Sequence, residues 1–272
     1  MSRRRKGILA LSVPYNQGMD VRAYLERIGY GGPWEASAEV LHGLHVAHLQ
    51  SVPFENLSVA LKEPIRLDLE GLFEKIVRRR RGGFCYELNG LFGALLEEAG
   101  FVVSYLSSRG IEEDGRLCPE FDHLTLRVGL PGEKEMPWLA DVGWGDSFLE
   151  PLRLDRTEEQ PQGLRAYRIE ADEEYRILWQ RNYDGSWERQ HRFTFQPRAF
   201  PQDFEEMCVY HQTSPDSTFT RQRMCTLATP EGRVSLFDTR LLTTAHGVVS
   251  AQPVVEEARA EILRDQFGIL LD

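Results

Sequence analysis

At 272 residues the chain exceeds one typical domain, which predicts two or three subdomains around a shared cleft. A formal net charge of −10 and a pI near 5.3 exclude general affinity for nucleic acid or an anionic membrane, and no uninterrupted apolar stretch is long enough to span a bilayer. The four cysteines, at 85, 118, 208 and 225, make no C-x-x-C pair and no dense framework, which predicts a reducing cytoplasm and no disulfide scaffold.

The opening Met1-Ser2-Arg3-Arg4-Arg5-Lys6 reads as a basic tail, because the apolar run at 8–13 is shorter than a signal-peptide core and no A-x-A site follows. From residue 20 to 100 the periods are helical. Val21, Tyr24, Leu25 and Ile28 form a stripe ended by Gly29, and a second helical stretch runs near 40–49. His42, His45 and His48 decorate that stretch and receive no chemical role. A third helix, capped by Asp68, carries Leu69, Leu72, Phe73, Ile76 and Val77. Its end is the basic run Arg78, Arg79, Arg80 and Arg81, which suits the negative end of the helix dipole. Arg81 is also a partner for Glu55.

Next comes Arg81-Gly82-Gly83-Phe84-Cys85-Tyr86-Glu87-Leu88-Asn89-Gly90, where a double glycine turns into a helix. Leu88, Leu91, Phe92, Leu95, Leu96 and Ala99 form an amphipathic stripe closed by Gly100, which puts Cys85 in the first turn, ahead of the stripe. A buried core position is the ordinary fate of a cysteine. Here the unpaired N–H groups and the positive helix end favour a thiolate, so Cys85 is a candidate nucleophile. A free thiol titrates near ~8.5, each unit of depression corresponds to about 1.36 kcal/mol, and a helix end supplies ~0.3–1 kcal/mol, up to ~2 when partly buried. That is too little alone, so a histidinium must help. Glu87 would oppose ionisation if aimed at the sulfur and is expected to point elsewhere.

After residue 100 the period changes to two. Leu124, Leu126 and Val128 share one face, and His123, Thr125 and Arg127 the other, so His123 opens a strand facing away from its apolar side. Trp138-Leu139-Ala140-Asp141-Val142 is a second strand, stopped by Gly143-Trp144-Gly145. Asp141, set among aliphatic residues, needs its charge paired, and an imidazolium is a suitable partner. The order Cys85, His123, Asp141 suits a Cys-His-Asp triad built from a helix and two neighbouring strands. Short strands continue to about residue 197, with a hairpin at Asp184-Gly185 between strands near 175–180 and 193–195, predicting a barrel or strongly curved sheet. Pro131-Gly132 and residues 158–163 read as surface turns or loops. A short helix near 203–211, strands near 234–237 and 241–244, and a final helix over 255–267 closed by Gly268 make the end mixed α/β. Cys208-x-x-His211 is half of a zinc pattern with no second pair, so core packing is expected and no metal.

The decapeptide around Cys85 resembles the active-site segment of the arylamine N-acetyltransferases. Val52-Pro53-Phe54-Glu55-Asn56-Leu57, Asp122-His123-Leu124, Asp141-Val142-Gly143-Trp144-Gly145 and Thr213-Ser214-Pro215-Asp216-Ser217-Thr218-Phe219 resemble further family segments in the same order, with Trp144 where many members carry Phe. The similarity covers residues 20–267. It implies an α+β fold: an N-terminal helical bundle at 1–100, a central antiparallel β-barrel at 101–200 and a C-terminal α/β lid at 201–272, with the triad between the first two. It implies Cys85 as nucleophile, His123 as general base and acid, and Asp141 as orienting carboxylate. Phe84, Gly143, Gly145 and Phe219 are implied to line the acyl-donor or acceptor site. The implied reaction is ping-pong transfer of acetyl from acetyl-CoA, as co-substrate, to an arylamine, arylhydrazine or N-hydroxyarylamine. Read from the residues alone, the same triad also serves a cysteine hydrolase, transglutaminase-like acyl transfer or a family-related amide synthase, and the cleft alone would serve a sequestering protein.

Overall fold

A computed structural model describes residues 19–271, so the reading of the basic tail lies outside the described residues. The helical part begins with α1 (Val21–Ile28), whose N-cap Asp20 accepts from the Ala23 N–H and whose stop is Gly29 at φ 67°. It continues through α2 (Ala38–Ser51), capped by Ser37, and the short α3 (Leu57–Ala60). Asp68 caps α4 (Leu69–Phe73), which runs on into a π-helical turn, Glu74–Arg78. At the centre lies α5 (Cys85–Glu98). Its expected amphipathic stripe is too narrow a description: every residue from Cys85 to Leu96 is buried, as a helix covered on all sides requires. Leu88, Leu91, Phe92 and Leu95 share one apolar core with Tyr24, Leu41 and Leu44 on one side and Leu124, Leu126 and Val128 on the other.

Eight strands follow: β2 (Val102–Gly110), β3 (His123–Gly129), β4 (Trp138–Ala140), β5 (Leu152–Arg153), β6 (Gln160–Gln162), β7 (Arg165–Asp172), β8 (Tyr175–Arg181) and β9 (Trp187–Arg198). They pair antiparallel in the order β5-β4-β3-β2-β9-β8-β7-β6, curled around Leu106, Leu139, Phe148, Tyr167, Leu178 and Phe193. The two edges meet through side chains: Gln160 accepts from the Arg153 N–H (2.7 Å) and donates back to the Arg153 carbonyl (2.9 Å). The barrel is thus nearly closed by glutamine amides where a backbone ladder is missing. β6 corrects the reading of 158–163 as loop. Its sequence, Gln-Pro-Gln, has no apolar alternation, and proline is tolerated because the strand is an edge.

β3 is buried on both faces, not on one. Leu124, Leu126 and Val128 pack on α5, and Thr125 lies opposite Leu106 of β2, toward the barrel interior.

The last region contributes α6 (Glu205–Thr213), α7 (Thr218–Arg221), strands β10 (Met224–Thr229), β11 (Gly232–Phe237), β12 (Arg240–Ala245) and β13 (Val248–Pro253), and α8 (Arg259–Phe267), closed by Gly268 at φ 66°. Its sheet has the order β1-β10-β11-β12-β13, and β1 is Phe54–Glu55 from the helical part. The segment ahead of the cysteine therefore stitches the C-terminal sheet to α5. β10 and β13 were not anticipated; β13 is exposed along its whole length, so no core alternation marks it.

Candidate active site

The N-terminus of α5 is fixed by close backbone contact. The Glu55 N–H donates to the Gly83 carbonyl (2.9 Å), and a Cβ on Gly82 would lie 1.9 Å from the Pro53 carbonyl oxygen. A Cβ on Gly83 would meet the Glu87 carboxylate at 2.8 Å. The double glycine is required by this approach; neither residue has a positive φ. The expected ion pair is present: Arg81 Nη2 lies 2.9 Å from Glu55 Oε1, with both side chains buried. Glu55 Oε2 also accepts from the Leu57 N–H at 2.6 Å. Glu87 turns away from the sulfur as expected, accepting from the Phe84 N–H (3.1 Å) and from Lys75 Nζ (2.7 Å). Phe84 has no side-chain acceptor, so the N–H groups of Cys85 and Tyr86 at the helix start have no partner among the described residues.

Asp141 sits one residue beyond β4 and not within it as expected, and it is held from every side. Its Oδ2 lies 2.6 Å from His123 Nε2, and its Oδ1 accepts from Asn89 Nδ2 (2.9 Å) and the Gly143 N–H (2.9 Å). Its own N–H donates to His45 Nε2 at 3.0 Å, while His45 Nδ1 donates to the Leu149 carbonyl at 2.8 Å. Asn89 also donates to the Leu124 carbonyl (2.6 Å) and accepts from the Val142 N–H (2.9 Å), tying α5 to β3 and to the loop after β4. Asn89 and His45 received no site role from the sequence. Asn89 had a usable signal, since it stands one helical turn after Cys85 on the same face. His45, one of three similar histidines on α2, had none.

The carboxylate of Asp141 is penalised by burial, but the His123 charge and hydrogen bond, helped by His191 and Asn89, hold it down at about 2. Burial pushes the Cys85 thiol up, the charges of Asp122 and Asp141 add to this, and only a hydrogen bond from the Leu124 backbone opposes it. Burial lowers His45 to about 4 and His191 to about 3, so both rings are neutral at pH 7. The Cys85 Sγ contact is with the Asp122 carbonyl at 4.0 Å, an oxygen that also accepts from Tyr86 Oη (3.1 Å) and His211 Nε2 (3.2 Å).

Cys85 and His123 line one cavity of about 1220 Å³, together with Gly143, Gly145 and Phe219 of the expected substrate residues. Phe84 stands apart from that lining: its ring is fully buried and reaches the cavity through Phe219, at a centroid distance of 5.6 Å. A Cβ on Gly143 would lie 2.7 Å from Cys85 Cα, so this glycine lets the Asp141 loop touch the helix start. The Trp144 ring meets His123 edge-on at 4.8 Å and contacts His191 at 4.7 Å. Cys208 accepts from Gln212 (3.3 Å) and His211 bonds Ser217 (3.0 Å), so that pair is packed and hydrogen-bonded within the fold.

The sequence model of the N-acetyltransferase family matches residues 37–272. The chain belongs to the arylamine N-acetyltransferase family. The arylamine N-acetyltransferase of Mycolicibacterium smegmatis is 35% identical over 258 residues, covering 92% of each chain. A pineal gland isozyme of arylamine N-acetyltransferase from Gallus gallus, NAT-3, is 31% identical over 280 residues, covering 93% of this chain and 95% of its own. Among solved structures, the Mycobacterium marinum arylamine N-acetyltransferase in complex with CoA superposes with a TM-score of 0.85 at 31% identity, covering 92% of this chain and 93% of the other. Acetyl transfer is thus the class of chemistry to which the arylamine N-acetyltransferase site belongs. Among the described residues, no helix is long and apolar enough to cross a membrane.

Proposed function

We propose that the protein moves an acetyl group from acetyl-CoA to the nitrogen of arylamines, arylhydrazines or N-hydroxyarylamines through an acetyl-Cys85 intermediate. The observation that carries this reading is a cysteine at a helix start sharing a cavity with a histidine whose Nε2 is held by a buried carboxylate at 2.6 Å. With Nε2–H donated to Asp141, Nδ1 is the bare nitrogen that accepts the Cys85 proton. Because burial raises the isolated thiol, ionisation occurs as proton transfer to His123, which leaves the thiolate facing an imidazolium that Asp141 stabilises.

The thiolate attacks the thioester carbonyl. The free N–H groups of Cys85 and Tyr86 stabilise the oxyanion, and His123 returns its proton as coenzyme A leaves as a thiol. The amine then attacks acetyl-Cys85; His123 takes the amine proton and delivers it to the departing sulfur. An arylamine is uncharged at neutral pH, so the aromatic walls Phe54, Trp144 and Phe219 accept it without burying a cation. In this reading residues 1–100 carry the nucleophile, 101–200 the histidine and aspartate, and 201–272 the opposite wall. The four cysteines are free, which fits a reducing compartment.

Single-turnover discharge tests this function. Acetyl-enzyme freed of excess donor should lose its acetyl group to a panel of arylamines at rates proportional to amine concentration. Discharge to water at the same rate without amine would assign a hydrolase instead.

A further inference from the structure

Behind His123 stands a group that the reaction leaves unused. His191, on β9, is fully buried, and its Nε2 has no hydrogen-bond partner. Its Nδ1 lies 2.7 Å from Ser108 Oγ, and that hydroxyl donates to the Arg192 carbonyl at 3.1 Å. The arrangement that satisfies all three groups puts the ring hydrogen on Nδ1 and leaves a bare lone pair on Nε2. An unpaired buried lone pair is unfavourable unless something donates to it or binds it. Ligating atoms of His123, Asp141 and His191 all lie within 4.8 Å of one another.

We propose that His191, Asp141 and His123 form a latent inhibitory site for a divalent transition-metal ion of the Zn²⁺ class. Two imidazoles and one carboxylate, with a fourth position left for water, are a donor set that suits zinc. The outer contacts needed to orient such ligands already exist: Ser108 on His191, and Asn89 and the Gly143 N–H on Asp141. Zinc–nitrogen bonds of ~2.0–2.1 Å place tetrahedral ligands about 3.4 Å apart. The 2.6 Å contact between His123 and Asp141 must therefore widen, while separations toward 4.8 Å must close. His123 lines the cavity and provides the way in.

Binding at His123 Nε2 moves the ring hydrogen to Nδ1, the nitrogen that must be bare to take the Cys85 proton. No proton is gained or lost overall, but the general base is held in the wrong tautomer. The inhibition rests on the proposed acetyl transfer, whereas the metal binding does not.

Zinc titration by calorimetry, together with visible absorption of Co²⁺, tests the site in the Cys85→Ala protein, where the thiol cannot ligate. One equivalent should bind, and His191→Gln in that background, which removes a ligand, should weaken it by at least the roughly 10–100-fold expected for loss of an outer contact. Ser108→Ala, which keeps the imidazole but removes its orienting bond, should weaken binding in the same direction and so covers the case in which His191→Gln misfolds. In the protein with Cys85 intact, the zinc concentration for half-inhibition should rise by the same factor on His191→Gln, with activity restored by chelator. No binding to the Cys85→Ala protein, or equal binding with and without His191, would overturn the proposal. Stoichiometric binding without inhibition of acetyl transfer would overturn the inhibitory role and count against His123 Nδ1 as the acceptor of the Cys85 proton.

Discussion

The two walls of the cavity are built in opposite ways. On the barrel side, Cys85, His123 and Asp141 are buried; Asn89 and the Gly143 N–H fix the Asp141 carboxylate from the helix and its own loop, and His45 of a neighbouring helix holds its backbone N–H. On the C-terminal side, Phe219 belongs to a four-residue helix and is anchored through its carbonyl, which accepts from Asn56 at 3.0 Å. His211 reaches across to Asp122, and β13 at the far edge of that sheet is exposed throughout. Geometry for bond making is thus over-determined on one wall, while the other is a shape joined to the rest by contacts such as Asn56 to Gln222 and Arg233 to Asp146. The contrast predicts that changes on the barrel wall act on kcat and changes on the C-terminal wall act on KM.

Asp141→Asn should be the most damaging isosteric change. It keeps the shape but removes the charge that stabilises the His123 imidazolium, and the analogous change in a serine-protease triad lowers kcat by ~10⁴. Steady-state kinetics with acetyl-CoA and an arylamine check this; a loss under about tenfold would mean the carboxylate does not orient the base. Glu55→Gln leaves Arg81 charged and buried, with the half-exposed Glu63 at 3.5 Å as its remaining charged partner among the described residues, so it should lower unfolding free energy by up to about 3–5 kcal/mol, measured by denaturant titration. If stability is unchanged, the stitch between β1 and α5 is not structural.

Asn89→Ala should lower kcat by about 10–100-fold with KM unaltered, by the reasoning that governs residues orienting a functional ligand. Phe219→Ala should reverse that pattern, raising KM for the amine several-fold while acetylation of Cys85 keeps its rate, as expected for loss of about 1 kcal/mol of apolar contact. Equal effects of both on kcat would erase the distinction between the walls.

A further effect is on pH. His45 and His191 have folded values near 4 and 3, below an unfolded value of ~6.5, so the unfolded chain binds their protons first. Their contribution is intact above pH ~6.5 and is lost as pH falls toward 4 and 3, with a slope of up to about 1.36 kcal/mol per pH unit for each ring. Asp141 adds to this loss only between about 4 and 2, since its folded value is depressed from ~3.9. Denaturation midpoints at pH 7 and 5 should differ accordingly, and His45→Gln should reduce the slope.

Much of this was legible in the chain because it is local. Capping at Asp20 and Asp68, the stops at Gly29 and Gly268 and the hairpin at Asp184-Gly185 each follow from short patterns with a physical cause. What stayed hidden is long-range. β6 closes the barrel through glutamine amides and β13 is wholly exposed, so neither shows apolar alternation. His45 reaches Asp141 from a helix remote in sequence, and nothing on α2 distinguishes it from its neighbours. Burial also raises the Cys85 thiol, which an exposed helix end would not do.

The central claim is that Cys85 becomes nucleophilic by handing its proton to a histidine steadied by Asp141. Its most direct test is intact-mass measurement after incubation with acetyl-CoA alone, with peptide mapping of the adduct. One acetyl group on Cys85 in the unmodified protein, none in Cys85→Ala and greatly slowed formation in His123→Ala are the predicted results. An adduct that survives Cys85→Ala, or one that forms at an unchanged rate in His123→Ala, would contradict the account.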